Sequence, residues 1–321
     1  MTQLTQKKTK LGVIGAGGVG SATAYAAMLR GSADEVVIYD INGALARAEG
    51  LDITHATGLA QDVRVSGSDD IAVLKDCDVI FVTAGARQKP GQSRLDLVDA
   101  NVAILKSMLP QVMKQAPDAV LVIVTNPCDV LAVVAREITG LPAERCFASG
   151  TVLDSARLRY FIAARAGVRV RHVNASVLGE HGDSEFVYWS AANIGQVSLD
   201  EWKDEDGNLI FTDEVKAQIE EDTMRAAYNV IQGKGSTNYA IGVASVRIAE
   251  AILQGQDAIL PVSSTINGKY GITGNAALSL PSIVGRGGIK RVFEVPLTEE
   301  ETQKMWHSAE TLNEVLSKIT I

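Results

Sequence analysis

The sequence predicts a doubly wound α/β protein, a parallel sheet with helices on both faces. Three observations predict it. Apolar strands alternate with helical stretches through the first half of the chain. Those strands are apolar at successive positions rather than at every second one, as in a sheet buried on both faces. The first strand also runs straight into a glycine-rich turn that opens a helix. The strands are read at LGVIGAG (11–17), EVVIYD (35–40), DVIFVTAGA (78–86), AVLVIVTNP (119–127) and CFASG (146–150), with SATAYAAMLR and VDANVAILKSMLPQVMKQA among the helices between them. Beyond about Gly150 the alternation loosens. TVLDSARLRYFIAARAG (151–167) reads as a helix, VNASVLGEHG (173–182) as a strand running into a loop, and DEWKDEDGNLI (200–210) as an acidic surface segment. Residues 213–232 and 240–254 read as helices and IKRVFEV (289–295) as a strand. TEEETQKMWHSAETLNEVLSKI (298–319) reads as a final helix, started by Thr298 with Glu301 three residues on. The change of pattern divides the chain into residues 1–149 and 150–321, two lobes packed closely because no low-complexity linker separates them.

Bulk properties narrow the function. The chain has 321 residues and a formal net charge of -8, without a long basic block, which argues against a general nucleic-acid binder. No run of eighteen apolar residues occurs, so no membrane span is expected. The start, MTQLTQKKTK, lacks the apolar core of a signal peptide and reads as a frayed tail. The 3 cysteines, Cys77, Cys128 and Cys146, are odd in number and form no CxxC pair. Neither a disulfide framework nor a structural metal site is expected, and a reducing cytoplasm fits.

GAGGVG (15–20) fits G-x-G-x-x-G, a weak signal alone. Its context strengthens it, because a strand precedes it, a helix follows, and Asp40 ends the next strand twenty residues beyond Gly20. That is the pattern of a Rossmann dinucleotide site. Gly15 makes the tight turn, Gly17 lets the backbone approach a pyrophosphate, and Gly20 lets helix and strand pack closely; Val19 lies at the helix start beside them. Asp40 would bond the ribose hydroxyls and repel a 2′-phosphate, and Ile41 and Asn42 supply no offsetting cation. NAD is therefore expected over NADP. The later strand ends should rim the same crevice, with Thr83, Gly85, Ala86, Val124, Asn126 and Ser149 approaching the cofactor.

GEHGDS (179–184) holds His181, one of 4 histidines, at the end of an apolar strand and between two glycines. A lone histidine is often structural. This setting favours a functional one, since hydride transfer to a carbonyl must be matched by a proton and imidazole delivers one near neutral pH. Asp154 is the candidate carboxylate to orient it. Arg157, three residues on along the same helix face, could grip a substrate carboxylate through two parallel hydrogen bonds. Spacing alone serves a plain ion pair on a helix surface equally well.

Taken together, GAGGVG, Asp40, QKPGQSRLDLV, VTNPCDV, GTVLDSARLR and GEHGDS resemble, in this order, the NAD-dependent L-lactate and malate dehydrogenases. The resemblance runs from about residue 10 to the last helix. It implies a Rossmann lobe with a second, mixed α/β catalytic lobe, and a homodimer or homotetramer. It implies His181 as proton donor and acceptor, Asp154 as the partner that stabilises the imidazolium, and Arg157 as the substrate-carboxylate anchor. It further implies Arg94 as a loop arginine polarising the carbonyl, and Asn126 as a contact shared by substrate and cofactor. L-stereochemistry rests on the resemblance alone.

The stretch AGARQKPGQSR (84–94) then reads as a lid. Gln88 sits where the family reads the far end of the substrate. Similar malate dehydrogenases place an arginine there for the second carboxylate of oxaloacetate; a neutral glutamine resembles the lactate enzymes. A closed, desolvated lid could not leave that carboxylate unpaired without a cost of several kcal/mol. Thr237, in GKGSTN, matches the lactate-type pocket wall. Arg87, adjacent to Gln88, could turn inward only by a one-residue shift, and the spacing from Gln88 to Arg94 fits without a gap. Other readings are malate dehydrogenase, a broader 2-hydroxy-acid dehydrogenase, and a non-catalytic dinucleotide-binding sensor. The joint presence of Arg94, Asp154, Arg157 and His181 opposes the last.

Many bacterial lactate dehydrogenases are activated by fructose 1,6-bisphosphate through an arginine and a histidine at a subunit interface. Arg159 matches the first position, but Asn174 occupies the second, with His172 displaced by two residues. On a strand that shift keeps the face and moves the side chain roughly 6.5 Å. Arg159 alone is a weak phosphate site. The expected outcome of an activity titration with the bisphosphate is little or no fall in the half-saturating pyruvate concentration; a large fall would contradict it.

Overall fold

A computed structural model describes residues 8–86 and 94–319, with the side chains of residues 94–96 outside the description. The first half builds β1 (Lys10–Ile14), α1 (Gly18–Arg30), β2 (Glu35–Tyr39), α2 (Gly43–Ala56), β3 (Arg64–Ser68), β4 (Val79–Val82), α3 (Arg94–Gln115), β5 (Val120–Ile123), α4 (Cys128–Thr139) and β6 (Cys146–Ala148). Its strands are parallel in the order β3-β2-β1-β4-β5-β6. The order reverses between β1 and β4, the point where ligands sit beyond the carboxyl ends of the strands. The expected doubly wound sheet is present.

The second half begins with α5 (Val152–Ala166) and five two-residue strands, β7 (Val173–Asn174), β8 (Val177–Leu178), β9 (Phe186–Val187), β10 (Asn193–Ile194) and β11 (Val197–Ser198). It continues through α6 (Asp213–Lys234), α7 (Tyr239–Gln254), β12 (Ala258–Thr265), β13 (Ala277–Gly285), β14 (Gly288–Val292) and α8 (Glu299–Ser317). The sheet does not stop at the lobe boundary. β12, β13 and β14 extend it antiparallel from β6 into one 9-stranded sheet.

The core lies in three clusters. One face of the sheet packs Val102, Leu105 and Leu109 of α3, Leu131 and Val134 of α4, and Met305 and Leu312 of α8. The opposite face packs Ala24, Ala27 and Met28 of α1 with Val246, Ile248 and Ala249 of α7. Leu158 and Ile162 of α5 lead the third, with Phe211 just before α6 and Ile219 within it. The last helix starts as its sequence dictates: Thr298 Oγ1 accepts the Glu301 N–H at 3.2 Å, and Glu301 Oε2 accepts the Thr298 N–H at 2.9 Å. All three cysteines are free and buried. Among the described residues no helix is long and apolar enough to cross a membrane.

Three strands of the large sheet escape the sequence reading. β3 is a polar edge strand, RVSGS. β12 and β13 each carry a proline, which argues against a central strand. In the structure Pro261 and Pro281 stand opposite each other in the register. Two prolines facing one another can share a pair that needs no N–H from either, so the ladder continues around them.

Phe147 of β6 is fully buried where the parallel half of the sheet meets the antiparallel half. Phe147→Ala should destabilise the fold by about 3–5 kcal/mol, read from the denaturant midpoint at constant m-value.

Candidate active site

The glycine turn has the geometry its spacing predicts. Gly15 adopts φ 106°, and a Cβ there would lie 2.8 Å from the Ala84 nitrogen. A Cβ on Gly20 would lie 1.8 Å from the Gly15 carbonyl oxygen, so only glycine lets α1 come this close to β1. A Cβ on Gly17 would meet nothing within 4 Å. Gly17 caps α1, whose first-turn N–H groups and positive dipole end face outward there, as an anionic pyrophosphate requires. Asp40 Oδ2 accepts the Ala16 N–H at 2.7 Å and its Oδ1 accepts the Asn42 N–H at 2.8 Å, tying the end of β2 to the glycine turn. Thr83 donates to the Ile14 carbonyl at 2.9 Å. These features fit a dinucleotide cradle.

The predicted strand ends meet through a residue the sequence reading did not single out. Asn101 of α3 is buried; its Oδ1 accepts the Ala86 N–H at 2.7 Å and its Nδ2 donates to the Asn126 carbonyl at 3.0 Å. Gly85 is packed so that a Cβ would lie 2.3 Å from Thr125 Cγ2. Ser149 is buried, its N–H donating to the Ile123 carbonyl at 2.9 Å, and Val124 is buried beside it. Val19 is half-buried on α1.

Asp154, Arg157 and His181 come together at a cavity of about 900 Å³ that Asn126 also lines. Asp154 lies in the first turn of α5 with its side chain 3 % exposed, so its pair with Arg157 is no surface ion pair. Asp154 Oδ1 accepts from Arg157 Nη1 at 2.7 Å, and Oδ2 accepts from His181 Nδ1 at 2.7 Å. The second bond places the proton on Nδ1 and leaves Nε2 for the cavity. Burial opposes the charge on His181, but Asp154, Glu185 and Asp129 outweigh it and raise the imidazole to about 10. Burial would likewise raise Asp154, but His181 and Arg157 overcome it and hold the carboxyl below its ordinary range.

Two acids near the histidine were missed. Asp129, in the first turn of α4, is buried and its Oδ2 accepts the His181 backbone N–H at 2.7 Å. Desolvation pushes its carboxyl up to about 6 against the pull of His181. Glu185 is buried four residues after His181 and lines the cavity. Asp129 follows the NPC turn directly, the only hint the sequence offered.

Other expected residues lie elsewhere. Gln88 and Arg87 fall outside the described residues, and Arg94 is placed only as the first residue of α3. Thr237 is half-buried in the turn between α6 and α7 and is not among the residues lining the cavity. Arg159 Nε donates to the Ala175 carbonyl at 2.8 Å, and Asn174 Nδ2 donates to Asn193 Oδ1 at 3.0 Å. His172 lies in a 3₁₀ turn over 170–172 rather than on a strand, so the same-face argument relating it to position 174 does not hold.

Comparison with known proteins gives a consistent result. Residues 9–148 match the family model of the lactate/malate dehydrogenase NAD binding domain, and residues 151–320 that of the lactate/malate dehydrogenase alpha/beta C-terminal domain. An L-lactate dehydrogenase of Bifidobacterium animalis subsp. lactis is 45% identical over 312 residues, 97% of each chain. One from Thermoanaerobacterium saccharolyticum is 44% identical over 313 residues, 98% of this chain and 100% of the relative. The crystal structure of a minor L-lactate dehydrogenase from Enterococcus mundtii, in a ligands-bound form, superposes with a TM-score of 0.93 at 34% identity, covering 98% of this chain and 100% of that one.

His181→Asn should lower kcat by about 10²–10⁴-fold while leaving the NADH dissociation constant near its original value, measured by steady-state kinetics and fluorescence titration. The pair should also leave a pH signature in stability. The folded-state pKa of about 10 lies above the ordinary 6.5, so the His181–Asp154 contribution is complete below pH 6.5 and is lost as pH rises through 10. The stability gap between wild type and His181→Asn should therefore narrow over that window in denaturant titrations.

Proposed function

The chain belongs to the lactate/malate dehydrogenase family, and on that premise we propose that it is an L-lactate dehydrogenase, transferring hydride reversibly between NADH and pyruvate to give L-lactate and NAD+. The observation that carries the chemistry is the buried Arg157–Asp154–His181 chain of contacts at the cavity wall. NAD, when bound, supplies or takes up the hydride. Arg157 holds the substrate carboxylate with the guanidinium N–H groups that Asp154 leaves available. Protonated His181 presents Nε2–H to the ketone oxygen and gives up that proton as negative charge develops there; in the reverse direction neutral Nε2 takes the hydroxyl proton. Asp154 fixes the ring and stabilises its charged form. Asn126 contacts substrate and cofactor together, and Gly15, Gly17, Gly20 and Asp40 hold the dinucleotide.

Arg94 is assigned to the carbonyl oxygen, where a cation stabilises the transition state once water is excluded. Gln88 is assigned to the pyruvate methyl. Residues 1–149 form the NAD-binding lobe, which also lends Gln88, Arg94 and Asn126 to the substrate, and 150–321 the catalytic lobe. The assembly proposed is a homodimer or homotetramer in the cytoplasm; the three free, buried cysteines suit a reducing compartment. Light scattering on the purified protein tests the assembly.

The deciding experiment follows NADH oxidation with pyruvate and with oxaloacetate across a concentration range. The expected result is a kcat/KM strongly favouring pyruvate. A ratio favouring oxaloacetate would mean that a cation, Arg87 first, reaches the closed site, and would move the assignment to malate dehydrogenase.

A further inference from the structure

Of the buried carboxyls lining the cavity, Glu185 is the one the reaction above leaves without a task. Its side chain is 6 % exposed, and its Oε2 lies 4.0 Å from His181 Nδ1. Asp154 Oδ2 already holds that nitrogen at 2.7 Å, so the ring has no second proton to offer Glu185 from there. No hydrogen bond among the described residues engages the Glu185 carboxyl. The carboxyl therefore faces the cavity, largely removed from water, and a charge in that position is costly unless cations balance it.

The charges around it decide its state. Immediately around His181 are Asp154 from α5, Asp129 from α4 and Glu185 from the loop after β8, with His181 and Arg157 as the adjoining cations; Asp183 of the same loop, Glu220, Glu221 and Arg225 of α6 and Lys304 of α8 line the wider cavity. With all three inner carboxyls ionised, three negative charges meet two positive ones immediately around the histidine, and the third opposes a substrate carboxylate brought to Arg157. With Glu185 neutral, that excess is gone. We propose that Glu185 is a charge-setting residue of the substrate site, standing beside the His181–Asp154 pair as a neutral carboxylic acid whose ionisation ends binding of the 2-keto acid carboxylate. Burial, and after it the charge of Asp154, push the Glu185 carboxyl well above its ordinary range, against His181 and Arg157. Glu185 is a positioning residue here, acting through the charge that Arg157 and His181 present rather than by proton transfer. The inference rests on the dehydrogenase reading for its substrate but not for its charge state.

Two measurements test it. In the substrate-free protein, carbon-detected NMR of labelled glutamate should place the Glu185 carboxyl midpoint well above the ordinary carboxylate range, with the acid still protonated at neutral pH. A midpoint near the ordinary value overturns the proposal, whatever the activity. In E185Q, which cannot ionise, the pH at which the KM for pyruvate climbs should move upward by about one unit or more, with the KM for NADH keeping its profile. An unmoved pyruvate profile, or a fall in kcat alone, also overturns it. Should E185Q fail to fold, the titration in the unaltered protein decides. A protein that turns over no 2-keto acid would sink the dehydrogenase reading and the binding role with it, while a raised midpoint there would still establish the neutral acid.

Discussion

One buried carboxylate organises the C-terminal half of this molecule. Asp154 is nearly inaccessible, and an isolated charge so placed would cost several kcal/mol. It is tolerated because Arg157 and His181 each bond one of its oxygens at 2.7 Å. The same two bonds turn a helix face and a distant loop into a site, since removing Asp154 would leave both cations without an anchor. The position of Asp154 follows in turn from the sheet. α5 starts just after Gly150, which adopts φ 54° and is packed so tightly that a Cβ would lie 2.6 Å from the Ser263 nitrogen of β12. The Thr151 N–H donates to Ser279 Oγ of β13 at 3.1 Å. The antiparallel extension of the sheet therefore holds the first turn of α5, and that turn holds the acid.

The cofactor side is tied to the same frame from the other direction. Asn101, on the helix that starts at Arg94, bonds both Ala86 and the carbonyl of Asn126. Asn126 leads into α4, whose first turn carries Asp129 and so the backbone of His181. A path of hydrogen bonds and chain links thus runs from the segment after β4 to the loop that carries His181. The hydrogen bonds in it are 2.7–3.0 Å long, which suits a reaction in which hydride and proton must arrive at one carbonyl within a fraction of an ångström of the productive geometry.

What could be read from the sequence was what is local along the chain. The glycine turn, the acid ending β2 and the helix start at Thr298 each lie within a span the eye can compare with a known spacing, and each takes the expected form. Asp154 and Arg157 were legible as an i,i+3 pair, but their burial depends on β12, β13 and the loop after β8, and no local pattern reports it. Asp129 and His181 are 52 residues apart, and only the fold makes the backbone of one a partner of the other. Glu185 shares that limitation in a subtler way. Its spacing from His181 suggests a helical neighbour, yet the two lie on a loop, and their approach is set by packing. The strands β12 and β13 were hidden for another reason: proline argues against a central strand, and only the pairing of Pro261 with Pro281 removes the objection.

The acids around His181 also bear on how the reaction is poised. An imidazole raised to about 10 carries its proton throughout the neutral range. In the role proposed for it, the substrate-free protein already holds the proton that reduction of a keto acid consumes, and it presents a cation to a substrate that is an anion. Oxidation of a hydroxy acid needs the opposite state, with Nε2 free to accept. The ring must then give up its proton against the attraction of Asp154, an attraction strengthened by the low exposure of the pair. Incoming groups can supply the difference. A substrate carboxylate on Arg157 raises the imidazole further, whereas a positively charged nicotinamide ring near the cavity lowers it. The oxidised cofactor thus favours the neutral histidine that its own reaction requires. The site is biased towards reduction when empty, and the cofactor's charge relieves that bias in the other direction.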